Sequence, residues 1–278
     1  MQPIRRDIRF QLDPARVCDW HPDDRKITHF YNALSIFFPE GERFFIHSVR
    51  HYRDRIADPE LQAAVTAFIG QEAMHGREHS DYNRALVEAG LPVQQLEGIV
   101  IRLLERLKRR LPPQLQLSAT IALEHLTAIM ADALLRNPHF IEGADPRYTA
   151  LWRWHALEET EHKAVAFDVY DSVFGRGVRA YVVRAIGLLG ASLVFWPLVF
   201  AFHLRLIAAD RKTPRLRGWG RMLAFLYGPR RGLFPKLLRP WLDYFRPSFH
   251  PWDHDNRALL REVDAVVAAV DGRLPAAA

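Results

Sequence analysis

The chain is nearly without cysteine: Cys18 is the only one in 278 residues. An intramolecular disulfide is excluded, and so is a metal site built on several thiolates. A single thiol fits a reducing compartment. The opening stretch, Met1-Gln2-Pro3-Ile4-Arg5-Arg6-Asp7, has charge but no apolar run behind it, so a cleaved secretory signal is not expected. Strand signals are almost missing. No glycine-rich phosphate loop, dinucleotide fingerprint, Ser–His–Asp set or Cys–His set is apparent, which removes the common nucleophilic and nucleotide chemistries. Acidic residues are scarce in one region only. Residues 176–250 hold 14 Lys and Arg against Asp210 and Asp243, a net charge of +12, while residues 1–175 carry −4 and residues 251–278 carry −2. The overall charge of +6 therefore describes one basic segment, not a basic protein.

What remains is helix punctuation. With 49% hydrophobic and 25% charged residues the chain is of ordinary globular composition. Asp58-Pro59 offers an N-cap with Pro at the first helical position, and Ala89-Gly90 a stop. Pro112-Pro113 opens another helix that Asn137-Pro138 closes. Asp145-Pro146 opens a third, expected as one helix over 146–174 and stopped by Gly175. Thr28 to Ile56 is helical in pattern, with a kink or a short break expected at Pro39-Glu40-Gly41 and the second part starting at Pro39. A short basic amphipathic helix is expected over 95–110, and an amphipathic helix over 252–270 ahead of a frayed tail at 274–278.

Two of these helices carry Glu-x-x-His: Glu72-Ala73-Met74-His75 and Glu159-Thr160-Glu161-His162. Residues three apart on a helix share a face. With 14 Glu and 13 His, random placement supplies about 0.65 such matches, so the count alone decides little. The order decides more. Glu42 and Glu124, the latter inside an otherwise apolar run, alternate with the two motifs. One Glu, then Glu-x-x-His, then one Glu, then Glu-x-x-His is the donor set of a two-metal four-helix bundle. His155 precedes Glu159 by one turn and shares its face, so one metal should be richer in nitrogen than the other. The candidate ligands are Glu42, Glu72, His75, Glu124, His155, Glu159 and His162. No catalytic residue separates from them. His79 is expected behind the ligands or exposed, and Glu78, Glu158 and Glu161 are expected in solvent. A surface face of salt-bridged Glu and His is the competing account.

This ligand set resembles that of ferritin-like di-iron carboxylate enzymes, and the extra His155 is similar to the pattern in di-iron N-oxygenases that oxidise aryl amines. The segments ALSIFFPEGERFF (33–45), FIGQEAMHGREHSDYN (68–83) and WHALEETEHKAVAFDVY (154–170) resemble a bacterial family named "predicted metal-dependent hydrolase", over about residues 1–250. The resemblance implies a ferritin-like fold and two metal ions, with iron expected and Mn or Zn as alternatives. Oxidation with O2 is expected ahead of hydrolysis by metal-activated water, an argument from fold analogy. Electrons would come from a donor protein or other external source.

Residues 185–202 run 18 positions with no charge and only Ser192 polar, enough for a membrane span. Arg179, Arg184, Arg205, Arg211 and Lys212 flank it on both sides, and Trp196-Pro197 should kink it. Residues 213–250 interleave Arg and Lys with Trp219, Phe225, Tyr227, Phe234, Trp241, Tyr244 and Phe245. That mixture suits a membrane surface or single-stranded nucleic acid. The neighbouring apolar run is useless for nucleic acid, so a membrane partner is expected and nucleic acid is not. A buried or oligomer-interface helix, such as a homodimer would use, is the alternative. The expectation is an all-α, ferritin-like four-helix bundle (1–175), a membrane-contacting segment (176–250) and a C-terminal helix with its tail (251–278). The protein would sit on the cytoplasmic side of a membrane, unsecreted, acting on a small or lipophilic substrate. A metal-free helical membrane-associated interaction protein is the reading from a different class.

Overall fold

A computed structural model describes residues 2–270. Its helices are α1 (Arg25–Arg50), α2 (Pro59–Glu88), α3 (Val93–Arg110), α4 (Pro113–Arg136), α5 (Pro146–His162), α6 (Val165–Phe174), α7 (Val178–Ala209), α8 (Trp219–Tyr227), α9 (Leu233–Asp243) and α10 (Val263–Val270). No strand occurs among the described residues, and the all-α bundle is borne out.

The starts follow the punctuation. Asp24, Asp58 and Asp145 each accept a hydrogen bond from an amide in the first turn of α1, α2 and α5. Pro59, Pro113 and Pro146 occupy first-turn positions where no amide is needed. The chain leaves α2 through Gly90 at φ +84° and α6 through Gly175 at φ +68°, conformations that favour glycine.

Three element expectations are corrected. The break at Pro39 is absent, and α1 runs unbroken through it. Pro39 leaves the carbonyl of Ser35, four residues earlier, without its helical partner. The Asn83 amide of α2 donates to that oxygen at 3.2 Å, so packing supplies the missing bond. The helix expected over 146–174 is divided at Lys163-Ala164 into α5 and α6. Lys163 is buried there, donating to the carbonyl of His254 and to Asn256 Oδ1, both at 2.7 Å. The helix expected over 252–270 begins only at Val263, after 3₁₀ turns at Pro251–Asp253 and Arg257–Glu262. His250, Asp255 and Asn256 spend their side chains on local or tertiary partners, which competes with a continuous helix. The tail at 274–278 lies outside the described residues.

The bundle pairs α1 with α2 and α4 with α5, and α3 lies in the crossover between the pairs. The α7 helix packs along α1 and α4. Phe37 stacks on Phe202, His203 Nε2 donates to the Lys26 carbonyl (2.9 Å), and Ser118 Oγ donates to the Val183 carbonyl (2.8 Å). Both α4 and α7 are long and apolar enough to cross a membrane. The most apolar stretch of α4 is 72% buried in the bundle, that of α7 only 17%. One contiguous core joins the bundle with Leu188, Phe202, Met222, Leu226 and Leu237 of the 176–250 segment.

The basic-aromatic segment does not present a uniform outward row. Phe225 packs on Phe30 and Phe140, Phe234 on Trp196, and Tyr244 is fully buried. Arg184 is buried as well, its guanidinium donating to the carbonyls of Tyr244 and Arg246. Exposed apolar residues remain: Val182, Ile186 and Leu193 of α7, Leu223 of α8, and Leu238 and Leu242 of α9.

Candidate metal centre

The seven residues come together in the middle of the bundle. α1 contributes Glu42, α2 Glu72 and His75, α4 Glu124, and α5 His155, Glu159 and His162. All are buried. Three groups of donor atoms each lie within 4.8 Å of one another: Glu42, His75 and His155; Glu72, His75 and Glu159; Glu72, Glu124 and His162. One end of the cluster thus has two imidazoles and the other has one. Glu159 reaches both. Its Oε1 is 3.0 Å from His155 Nε2 and 3.8 Å from His75 Nδ1, and its Oε2 is 3.7 Å from His162 Nε2. Glu72 Oε1 lies 3.0 Å from His162 Nε2 and 4.0 Å from His75 Nδ1. Close approach of α1 to α2 depends on Gly76, where a Cβ would stand 3.1 Å from Glu42 Oε2.

His162 and His155 are each held from outside by a hydrogen bond to one nitrogen, which leaves the other facing inward, whereas neither nitrogen of His75 has a hydrogen-bond partner among the described residues. Gln71 uses its amide nitrogen on the Ile4 carbonyl and Glu161, so its oxygen accepts from His162 Nδ1 at 2.9 Å. For His155 the chain is longer. Asn83 donates through its amide nitrogen, so its oxygen accepts the Ser35 hydroxyl hydrogen. Ser35 then accepts from His79 Nδ1 at 2.9 Å, and His79 Nε2 accepts from His155 Nδ1 at 2.8 Å. His75 Nε2 faces Glu158 Oε2 at 3.2 Å. The inner nitrogens, His75 Nδ1, His155 Nε2 and His162 Nε2, all face the carboxylates. Orientation of this kind from behind raises a ligand's basicity and fixes its tautomer.

His79 sits behind His155, one of the two places expected for it, but the expectation for three acids fails. Glu158, Glu161 and Glu78 are buried rather than solvated. The cause is the N-terminal stretch, which lies over α2 and α5. Arg6 pairs with Glu158 and Glu161, the Ile4 amide donates to Glu161, and the Phe10 amide donates to Glu78. Gln71, Ser35, Asn83 and Thr127, whose hydroxyl donates to Glu159 Oε2 at 2.6 Å, were not singled out in the sequence. Three acids at 158, 159 and 161 could have warned that some face inward, because adjacent helix positions point apart.

The electrostatics suit cations. Burial, then the neighbouring Glu72 and Glu159, push the Glu42 and Glu124 carboxyls well above the usual range. Burial raises Glu72 as well, partly offset by His162. Burial opposes the charge on Glu159 too, but His155 and His162 outweigh it and hold it well below the carboxylate norm. His162 moves the other way: burial lowers it, and Glu159 and Glu72 raise it well above a free imidazole. Both oxygens of Glu42, Glu72 and Glu124 and the inner nitrogens of His75 and His162 have no hydrogen-bond partner. Buried carboxylates without donors are costly. Two divalent ions would balance four carboxylates and bind the three inner nitrogens, so the residues fit the group.

A second cluster, Cys18, His29 and Asp210, also meets the 4.8 Å criterion. There Asp210 is already engaged by Arg25 at 2.7 Å, by His29 at 3.0 Å and by the Thr213 hydroxyl. That is an ion-pair network tying α7 to α1.

A cavity of about 60 Å³ adjoins the nitrogen-rich end of the main cluster. His155 and Glu159 enter it, among Phe30, Leu34, Phe38 and Trp152. The family described as "predicted metal-dependent hydrolase" matches residues 4–255. No curated protein and no solved structure matches the chain.

Proposed function

The chain belongs to this family of predicted metal-dependent hydrolases, and from that premise we propose a di-metal enzyme, with iron as the metal, that oxidises a lipophilic substrate using O2. The observation that carries the reading is the convergence of three buried imidazoles, two of them hydrogen-bonded from behind, on four buried carboxylates. Glu42, His75 and His155 would hold one ion, Glu124 and His162 the other, with Glu72 and Glu159 between them. Two iron ions bound there would supply the electron transfers that O2 chemistry needs, whereas zinc or manganese would supply an acidified water.

The residues around the cluster favour oxidation. Hydrolysis builds negative charge on an oxyanion, which donors or the metal ions themselves would have to stabilise. In the cavity beside His155 and Glu159 the Thr127 and Tyr31 hydroxyls already donate, to Glu159 and to the Phe140 carbonyl, and the indole N–H of Trp152 is, among the described residues, the one donor there without a partner. Oxidation of a C–H bond has no such requirement. In a balanced form, one oxygen atom of O2 enters the substrate and the other leaves as water, with two electrons and two protons from a separate donor. The apolar walls would hold the substrate and exclude bulk water.

Hydrolysis is the second reading, favoured by the family description. Elemental analysis of protein from iron-supplemented cells tests the metal site. About two ions per chain are expected, falling to near zero in Glu72→Ala and Glu159→Ala. Unchanged metal content in both variants would sink the di-metal reading. An O2-dependent change in the visible spectrum of the reduced protein supports oxidation. Zinc content with esterase activity and no such change supports hydrolysis.

A further inference from the structure

A second cavity, of about 340 Å³, lies between α1, α3, α4 and α7. Its walls are apolar, with Phe37, Phe45, Leu104, Leu115, Leu126 and Phe195 representative and Thr127 the one hydroxyl among the lining residues. Its length along α4 runs from Leu115 to Thr127, about 18 Å at the helical rise. Small residues make the room. A Cβ on Gly190 would meet nothing within 4 Å, and Gly41, Ala119 and Ala191 line the same space. An apolar cavity of this size does not hold ordered water, and it falls in the range of small-molecule sites, about 300–1,000 Å³.

Its two ends differ. At the inner end Phe38 and Thr127 also line the smaller cavity that His155 and Glu159 enter. Gly41 and Leu123 in the wall immediately precede Glu42 and Glu124. Toward solvent, Leu103, Val194 and Leu198 are shared with an open groove of about 430 Å³ between α3 and α7. Arg102 and Arg106, one turn apart on α3, border that groove. Both are exposed, and neither has an ion-pair partner among the described residues, since the nearby Glu105 pairs with Lys108.

We propose that this chamber binds a single-chain anionic amphiphile, with the charged head on Arg102 and Arg106 and the apolar chain running inward to Phe38 and Thr127. A flexible chain fits a long narrow space with no polar anchor along it, and a pair of free guanidiniums at the mouth matches a carboxylate or a phosphate. The proposal rests on the di-metal reading for its chemistry, because it names the substrate class of that site. The chain, not the head, faces the metal cluster, which suits C–H oxidation.

The test uses the full chain, both metal-loaded and chelator-treated, with 11-(dansylamino)undecanoic acid as the probe. Saturable fluorescence enhancement is expected, reversed by laurate. Gly190→Leu and Ala119→Leu, which fill the space from opposite walls, should each weaken laurate about tenfold, the burial of roughly two methylenes. Metal content should stay at the wild-type level. Arg102→Gln with Arg106→Gln should weaken laurate about tenfold and leave dodecanol within about twofold. Binding unchanged in both filling variants overturns the chamber, and equal loss of laurate and dodecanol overturns the head site. Displacement by a lysophospholipid but not by diacyl vesicles supports a single-chain ligand; equal displacement by both overturns it. Probe binding that survives in a protein without metal separates the failure of the metal reading, and two retained metals without probe binding separate the failure of this one.

Discussion

Glu158 carries the clearest residue-level consequence. Its carboxyl is pushed up to about 7, chiefly by burial and against the pull of Arg6, and its Oε2 faces His75 while Trp154 Nε1 donates to Oε1 at 2.9 Å. A carboxylate behind a metal-binding imidazole typically contributes about 10–100-fold in metal affinity. Glu158→Gln should therefore weaken metal binding by about that factor in a chelator competition, with the helical circular dichroism unchanged. Asp210 gives a second prediction. Burial alone would raise its carboxyl, but His29, Thr213 and Arg25 hold it well below the usual range. A depressed folded value stabilises above the unfolded value of about 3.9 and loses that contribution as the pH falls through the folded one. Asp210→Asn should cost about 1–2 kcal/mol at pH 7, a figure reduced for partial exposure. In urea melts of chelated protein the gap to wild type should shrink as the pH drops below about 4. The seven candidate donors were legible in the sequence because helical spacing fixes which side chains share a face. Their supports were not, since Gln71, Ser35 and Asn83 reach the histidines only across helix pairs.

At the scale of elements, the packing of α7 on α4 turns on Gly187. A Cβ there would lie 2.1 Å from Ser118 Oγ and 2.9 Å from the Ser118 carbonyl oxygen. Gly187→Ala must force the helices apart, at a cost of about 1–3 kcal/mol, or roughly 2–10 °C in melting temperature. Ser118→Ala should restore only part of this in the double variant, because the carbonyl stays in place. Differential scanning calorimetry of the three variants checks the order. Helix starts were legible where Asp or Pro stood together, as at Asp58-Pro59, Pro112-Pro113 and Asp145-Pro146, whereas the start of α1, capped by Asp24, was not. The errors fell where tertiary partners override local rules. Asn83 repairs the Pro39 break from another helix, and Lys163 leaves the α5–α6 junction to bind residues 254–256.

For the whole molecule the open question is the exposed face of the 176–250 segment. Leu193 is 75% exposed, Leu238 58% and Leu242 53%, and the segment also exposes Arg205, Arg215, Arg221, Arg230 and Arg239. A segment that exposes both apolar and basic side chains suits an anionic lipid surface, where each basic residue contributes about 1 kcal/mol. The protein should co-sediment with phosphatidylglycerol vesicles and not with phosphatidylcholine vesicles, and salt should weaken the binding. Leu193→Gln with Leu238→Gln should reduce it at least about tenfold. Equal binding to both vesicle types would count against an electrostatic membrane contact.

The sequence alone determined an all-α chain and an ordered set of seven candidate donors, because caps, prolines and the helical repeat act over a few residues. Only the tertiary structure decided which acids are buried, how the imidazoles are aimed, and where the apolar run of 185–202 lies. Those depend on contacts between residues far apart in the chain: Arg6 with Glu158, His79 with His155, and α7 with α1 and α4. No local pattern encodes them. The chamber beside the metal cluster belongs to the same class, a space shaped by four helices that no one of them contains.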